Sequence, residues 1–147
     1  METFNSNPSV TITDEIKNYV IQTSKWMKFL SILGFVGLGL MAIGGLSMFA
    51  LGASFGEYMH TPFNPMLFGF FYLVFAVLYF FPVLYLFKAA VGLKEGVNGS
   101  QDSLTSGFMN LKMHYRYVGI LTIVIISLYI LLIIGAVIFV AFNLPRY

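Results

Sequence analysis

The stretch YVGILTIVIISLYILLIIGAVIFVAFNL, residues 117–144, decides the fold of this chain because it is apolar and contains no charged side chain. Roughly 20 apolar residues in a helix are enough to cross the ~30 Å hydrocarbon core of a bilayer. Residues 28–56 and 65–92 repeat the pattern, with Lys28 and Lys88 as their only charged residues. Unpaired backbone groups are costly in lipid, so each stretch is expected to be helical. The sequence therefore predicts an all-α membrane protein with three transmembrane helices.

The composition of the whole chain also indicates that lipid is its solvent. Of the 147 residues, 59% are hydrophobic and 10% are charged, whereas a soluble domain carries about 25% charged residues. We expect one membrane domain over residues 13–147, after a flexible polar N-terminus over residues 1–12 that lacks the basic start of a signal peptide. The chain has no cysteine, which excludes disulfides and thiolate metal sites. A net charge of +2 without a basic tract argues against nucleic-acid binding.

Short polar signals predict where the helices begin. Asn64 and Pro65 are typical of an N-cap and a first helical residue. Thr13 is a candidate N-cap for the first helix, and Ser100 or Asp102 can cap the segment before the third span. These residues mark where the helices are expected to begin.

Two segments that precede spans one and three have the pattern of amphipathic helices. They cover residues 13–27 and 102–116, and we expect both on the cytoplasmic side of the membrane. Their apolar stripes are Ile16, Val20, Thr23 and Met27, and Leu104, Phe108, Leu111 and Tyr115. Ordinary interfacial anchoring is one interpretation, and a docking face for a partner or an anionic lipid is the other. The sequence leaves open whether they lie on the membrane or extend the spans.

The distribution of Lys and Arg predicts the orientation of the chain. The basic residues before span one and between spans two and three are Lys17, Lys25, Lys28, Lys88, Lys94, Lys112 and Arg116. Arg146 is the only basic residue on the other side. Because basic loops stay in the cytoplasm, the N-terminus is expected inside and the C-terminus outside, which is the periplasm for a bacterial inner-membrane protein.

Aromatic and basic side chains favour the headgroup layer, so several are expected to act as interface anchors. These are Lys25, Trp26, Lys28, Lys88, Tyr115, Arg116 and Tyr117.

Glycines of span one and aromatic residues of span two are candidates for helix packing. Small residues let helix backbones approach closely in lipid. The candidates are Gly34, Gly37, Gly45, Gly52 and Gly56, together with Phe68, Tyr72, Phe75 and Tyr79. We hypothesise that the rings fill the grooves left by the glycines. Self-association or the binding of a foreign helix is the alternative use of the glycine face. Pro82 is expected to kink span two.

The sequence offers no constellation of catalytic residues. None of the spans carries an ionisable residue at mid-membrane, where pumps and transporters place them. The predicted topology puts His60 outside and His114 inside, so they cannot share a metal or haem. We therefore predict no enzyme activity, no cofactor and no metal, and expect a non-catalytic accessory or scaffold subunit with membrane-protein partners or self-association. The alternative is a small oligomeric channel or transport component.

Three stretches together carry a resemblance to a known family: KWMKFLSILGF at 25–35, YFFPVLYLFKAA at 79–90 and LTSGFMNLKMHYRYVGIL at 104–121. The sequence resembles a family of small integral membrane proteins found mainly in Bacteroidota, domain-of-unknown-function family 5362. The resemblance implies a bacterial inner-membrane setting and a three-span layout. It implies no activity, cofactor or catalytic residue.

Overall fold

Three long α-helices make up the described part of the chain. A computed structural model describes residues 12–55 and 64–143, in which α1 spans Asp14–Phe55, α2 spans Pro65–Gly96 and α3 spans Gln101–Asn143. Each helix is long and apolar enough to cross a membrane. The predicted all-α fold of a multi-pass membrane protein is confirmed at this level. Residues 1–11 of the predicted flexible N-terminus, Gly56 and His60 lie outside the described residues.

The polar signals at the helix starts are confirmed by hydrogen bonds. The Asn64 side chain accepts from the backbone N–H of Met66 at 2.9 Å, and Pro65 is the first residue of α2. Thr13 caps α1 through a bond from the Ile16 N–H at 3.4 Å. At α3 the cap is Ser100, whose hydroxyl accepts from the Ser103 N–H at 3.2 Å. Each side chain accepts from an N–H that has no partner inside the first turn.

The segments that precede spans one and three are continuous with them. α1 runs for 42 residues through the predicted junction at residues 27–28, and α3 runs for 43 residues through the junction at residues 116–117. At 1.5 Å per residue each helix is about 63 Å long, roughly twice the hydrocarbon core. These segments therefore extend the spans as helical stems.

The helices are arranged with α2 in the middle of an antiparallel series. α2 packs against both neighbours, while the Cα atoms of α1 and α3 stay more than 8 Å apart among the described residues. α2 meets α1 along its length, from Met66 beside Gly52 to Val83 beside Gly34. A four-residue connection, residues 97–100, then returns the chain against α2 as α3. Gly99 takes a φ of 124° there, a conformation that favours glycine.

The hydrophobic core lies at the end of the bundle where α2 meets both neighbours. Its buried residues are Met27, Ala89, Ala90 and Leu93, and Val20, Leu86, Leu104 and Leu111 pack around them. Two of the four residues in the predicted apolar stripe of each stem lie in or around this core. The other members, Ile16 and Phe108 among them, are exposed.

Candidate functional site at the charged end of the bundle

Charged side chains gather at one end of the molecule. Within the described ranges they occupy residues 14–28 of α1, residues 88–95 of α2 and residues 102–116 of α3. The antiparallel packing of α2 against α1 and α3 brings these three segments together. The other end of each helix is uncharged over the described residues. This charged end is where ionic chemistry is available.

Small residues bring α1 and α2 together beneath the charged side chains. Ser24 and Ser31, seven residues apart on α1, are almost completely buried. Their hydroxyls donate to carbonyls of their own helix, Ser24 to Val20 at 2.7 Å and Ser31 to Lys28 at 2.8 Å. Burying these hydroxyls therefore leaves no unpaired group. Alanines 89 and 90 are the buried small residues on the side of α2.

Glycines bring α2 and α3 together in the same way. A Cβ added at Gly92 would lie 2.8 Å from the Cα of Gly107, and one at Gly96 would collide with the backbone of Leu104. Gly92 and Gly96 form a small-xxx-small pair against α3. Gly96 is also the last residue of α2.

A histidine joins α3 to the proline of α2. The Nδ1 atom of His114 lies 2.8 Å from the carbonyl oxygen of Pro82. Since a carbonyl oxygen only accepts, Nδ1 carries the hydrogen of this bond. α2 continues as a helix through buried Pro82, which has no N–H to offer the carbonyl of Leu78.

A basic cleft opens between α1 and α2 at the charged end. It has a volume of about 220 Å³. Its lining residues are Ser24, Lys25, Lys28, Ala90, Val91, Lys94, Glu95 and Asn98. Three ammonium groups and one carboxylate therefore border it. The Asn98 amide donates to the carbonyl of Lys94 at 2.8 Å, which orders the end of α2 beside the cleft.

A second cleft of about 460 Å³ lies between α2 and α3 and is richer in acidic and neutral polar groups. Its polar lining consists of Lys88, Glu95, Asp102, Ser103, Ser106 and Asn110. Val91 and Glu95 border both clefts, so the two lie side by side on one face of α2. Charge distinguishes them: lysines dominate one cleft and carboxylates the other.

Most of the predicted interface anchors are exposed around these clefts. Lys25, Trp26, Lys28, Lys88, Tyr115 and Arg116 are exposed, and Tyr117 is half-buried. The Lys28 ammonium lies 6.0 Å from the ring centre of Phe87, at the outer range of a cation–π contact. The ring of Tyr117 packs against Phe81 at 6.2 Å. Whether these groups meet a headgroup layer stays a prediction.

The structure places three of the predicted glycines against α2. A Cβ at Gly45 would lie 3.1 Å from side-chain atoms of Leu73 and Tyr72, and one at Gly34 would lie 3.0 Å from Val83. At Gly52 an added Cβ would collide with the backbone of Met66, while at Gly37 it would meet nothing within 4 Å. Gly37 therefore faces open space instead of a helix.

The predicted aromatic stripe of α2 meets the predicted glycines through Tyr72, whose Cβ would lie 3.1 Å from a Cβ added at Gly45. The four residues of the stripe, Phe68, Tyr72, Phe75 and Tyr79, are 41–45% exposed. Three of these rings, those of Tyr72, Phe75 and Tyr79, border a groove with Met41. The ring of Phe35 on α1 contacts two rings of α2, Phe80 at 6.0 Å and Phe87 at 6.2 Å.

Sequence reasoning missed several residues of this end of the bundle. Ser24, Ser31, Ala89, Ala90 and Gly107 were not singled out, although each is buried at a helix contact. The available signal was small residues recurring at intervals of four or seven, which favour close helix approach in lipid. Among residues 12–55 and 64–143, no three His, Asp or Glu side chains gather as metal ligands. The expected absence of metal stays a prediction.

Comparison with protein-family models, with curated proteins and with solved structures found no match to this chain. The resemblance carried by the three sequence stretches therefore stays a prediction. The function is inferred from the geometry alone.

Proposed function

We propose that this protein is a non-catalytic subunit of a larger membrane assembly, acting as an accessory or scaffold component. The observation that carries the proposal is the exposed outer half of α3. From residue 118 to residue 142 its side chains are exposed, apart from half-buried Leu121. Leu132 is 71% exposed and Val137 is 63% exposed. A long apolar helix presented in this way offers a surface to neighbouring membrane helices.

A second surface for a partner helix lies on the α1–α2 pair. An apolar groove of about 440 Å³ runs between these helices. It is lined by Phe35, Leu38, Gly39, Ala42, Leu73, Ala76, Val77, Phe80 and Phe81. Gly39, Ala42 and Ala76 keep it shallow enough for another backbone to come close, which is how helices associate in lipid.

In this proposal the charged end lies in the cytoplasm and the protein spans the bacterial inner membrane, with the N-terminus inside and the C-terminus in the periplasm. The asymmetry of Lys and Arg supports this orientation. The clustering of all charged residues of the described ranges at one end supports it as well, because one end can then stay in water. Partners are membrane proteins or further copies of this chain.

The geometry favours a scaffold over a channel component. The hydroxyls of Ser47, Thr122 and Ser127 each donate to a carbonyl of their own helix at 2.8 Å. They are therefore satisfied without water or a permeating ion. The uncharged stretches thus offer little polar lining to a pore.

A single-cysteine cross-linking scan tests the proposal, and the natural chain has no cysteine to interfere. Cysteines placed singly from residue 125 to residue 138 of α3 are treated in native membranes with a thiol-reactive cross-linker of short reach. A partner helix gives adducts with a period near 3.6 residues, because one face of α3 is then covered. Met27→Cys, buried in the bundle, is the matched control and should give none.

The mass of the adduct distinguishes the two kinds of partner. Twice the mass of the chain indicates self-assembly, and any other mass indicates a different protein. Uniformly absent adducts along the whole of the scanned stretch, and at Gly39→Cys in the groove of the α1–α2 pair, would show no protein neighbour at either surface and would refute the subunit proposal.

A further inference from the structure

We propose that the basic cleft between α1 and α2 binds the phosphate group of an anionic glycerophospholipid headgroup. The cleft is small, polar at its rim and open at the charged end of the bundle. This inference does not rest on the proposed scaffold function, since lipid and protein partners would occupy different surfaces. Basic pockets between membrane helices are suited to anionic headgroups.

The charge of the cleft is the first reason for an anionic ligand. Lys25 and Lys28 come from one turn of α1, and the packing of α2 brings Lys94 to the same opening. Like charges close together destabilise one another, and an anion between them removes that repulsion. Among the described residues of the lining, Glu95 is the only acidic one, so the three lysines give an excess of positive charge.

The depth and floor of the cleft are the second reason. Ser24, Ala90 and Val91 form a lining of small or apolar side chains at its base. Ser24 is buried and its hydroxyl is already bonded to the Val20 carbonyl. The floor therefore has no free hydroxyl hydrogen to offer, and the exposed lysine side chains supply the donors. A volume of about 220 Å³ accommodates a phosphate with part of its glycerol.

The position of the cleft favours a lipid over a soluble phosphate. It lies where the charged stem of α1 gives way to the uncharged stretch that starts at Phe29. Trp26 and Phe29 are exposed beside it, with their rings in an edge-to-face contact at 6.0 Å. Aromatic rings at this level are typical of the headgroup boundary, so acyl chains can lie along α1 while the phosphate enters the cleft.

The neighbouring cleft between α2 and α3 does not share this chemistry. It has one lysine, Lys88, against the carboxylates of Glu95 and Asp102. Two carboxylates would repel a phosphate, so the anion is assigned to the α1–α2 cleft alone.

Lipid binding to the full-length purified chain tests the assignment. Native mass spectrometry in mixed micelles compares phosphatidylglycerol, which is anionic, with phosphatidylcholine, which carries the same phosphodiester but no net charge. The natural chain should retain phosphatidylglycerol preferentially. The triple variant Lys25→Gln, Lys28→Gln, Lys94→Gln should lose affinity for it by a factor on the order of 100, about five-fold per lysine.

The matched control removes three basic residues that do not line the cleft, in Lys17→Gln, Lys112→Gln, Arg116→Gln. It should retain the preference for phosphatidylglycerol. Equal losses in the two triple variants, or no preference in the natural chain, would overturn the proposal. Melting curves of both variants show whether either has lost its fold.

If the triple lysine variant unfolds, a single substitution that makes the cleft more positive tests the site instead. Glu95→Gln removes the one carboxylate of the lining and should increase retention of phosphatidylglycerol. An unchanged or lower retention counts against the site. Titration with inorganic phosphate distinguishes the sources: saturable binding of free phosphate without any preference among lipids would overturn the assignment to a headgroup.

Discussion

At the scale of single residues, the helices meet where a hydrogen atom replaces a side chain. Gly69 of α2 is one such point in the apolar part of the bundle. A Cβ added there would lie 2.5 Å from the backbone nitrogen of Phe49 and 2.6 Å from the carbonyl oxygen of Gly45. Both neighbours are helix backbone, so neither can rotate away as a flexible side chain would. A larger side chain at Gly69 therefore has to push α1 and α2 apart.

We expect Gly69→Ala to destabilise the α1–α2 pair by about 1–3 kcal/mol, the usual cost of overpacking. Gly37→Ala is the matched control, because its Cβ meets nothing within 4 Å, and alanine is favoured over glycine in a helix. Gly45→Leu should also lower stability. The measurement is the thermal unfolding of purified protein in detergent. Equal melting temperatures for Gly69→Ala and Gly37→Ala would contradict the close contact.

The hydrogen bond from His114 to the Pro82 carbonyl is a second contact that can be tested at one residue. His114→Phe keeps a planar ring and removes the donor, and should cost about 0.6–1 kcal/mol, as for other hydrogen bonds between membrane helices. Tyr115→Phe removes an exposed hydroxyl next to it and should be neutral. Reversible unfolding in denaturing detergent measures both variants. A His114→Phe variant as stable as the natural chain would show that the bond contributes nothing.

At the scale of elements, hydropathy and capping residues predicted the helices well, and the packing between them poorly. The spans and the caps at Thr13, Asn64 and Ser100 depend on local properties, namely solvent preference and backbone hydrogen bonding. Contacts such as Gly92 against Gly107 join residues distant in sequence, and a single sequence contains no direct record of them. A stripe of aromatic rings on α2 suggested an interface, whereas the atoms that approach Gly34 and Gly52 of α1 belong to Val83 and Met66. Of the stripe, Tyr72 lies against Gly45, together with Leu73 and Gly69.

The structure has α1 as one continuous helix through its stem and its span, and a proline substitution tests this continuity. In one continuous helix the N–H of Phe29 bonds to the carbonyl four residues earlier. Phe29→Pro removes this bond and should destabilise the protein by about 3 kcal/mol. Phe29→Ala removes the exposed ring alone and serves as the control.

Thermal unfolding and helical content by circular dichroism measure the effect of Phe29→Pro. If the chain instead broke at residues 27–28, proline would sit in the first turn of a new helix and would be tolerated. Equal stability of Phe29→Pro and Phe29→Ala would therefore show a break at this junction.

At the scale of the whole molecule, the clustering of charge makes the orientation testable. We expect Lys112→Cys, an exposed position on the stem of α3, to react with a membrane-impermeant maleimide only after the cells are permeabilised. Tyr58→Cys, in the predicted outer loop, is the control and should react in cells with an intact inner membrane. Labelling of Lys112→Cys from outside would reverse the proposed orientation.

The one-sided attachment of α3 has a consequence for how the molecule responds to its bilayer. The uncharged part of α3, residues 117–143, is about 40 Å long, which exceeds a hydrocarbon core of ~30 Å. A helix that is too long reduces the mismatch by tilting. α1 and α2 pack against each other along their lengths, whereas the side chains of α3 from residue 122 to residue 142 are exposed. The inclination of α3 in an isolated chain is therefore governed by membrane thickness, and a thicker bilayer draws it upright beside α2.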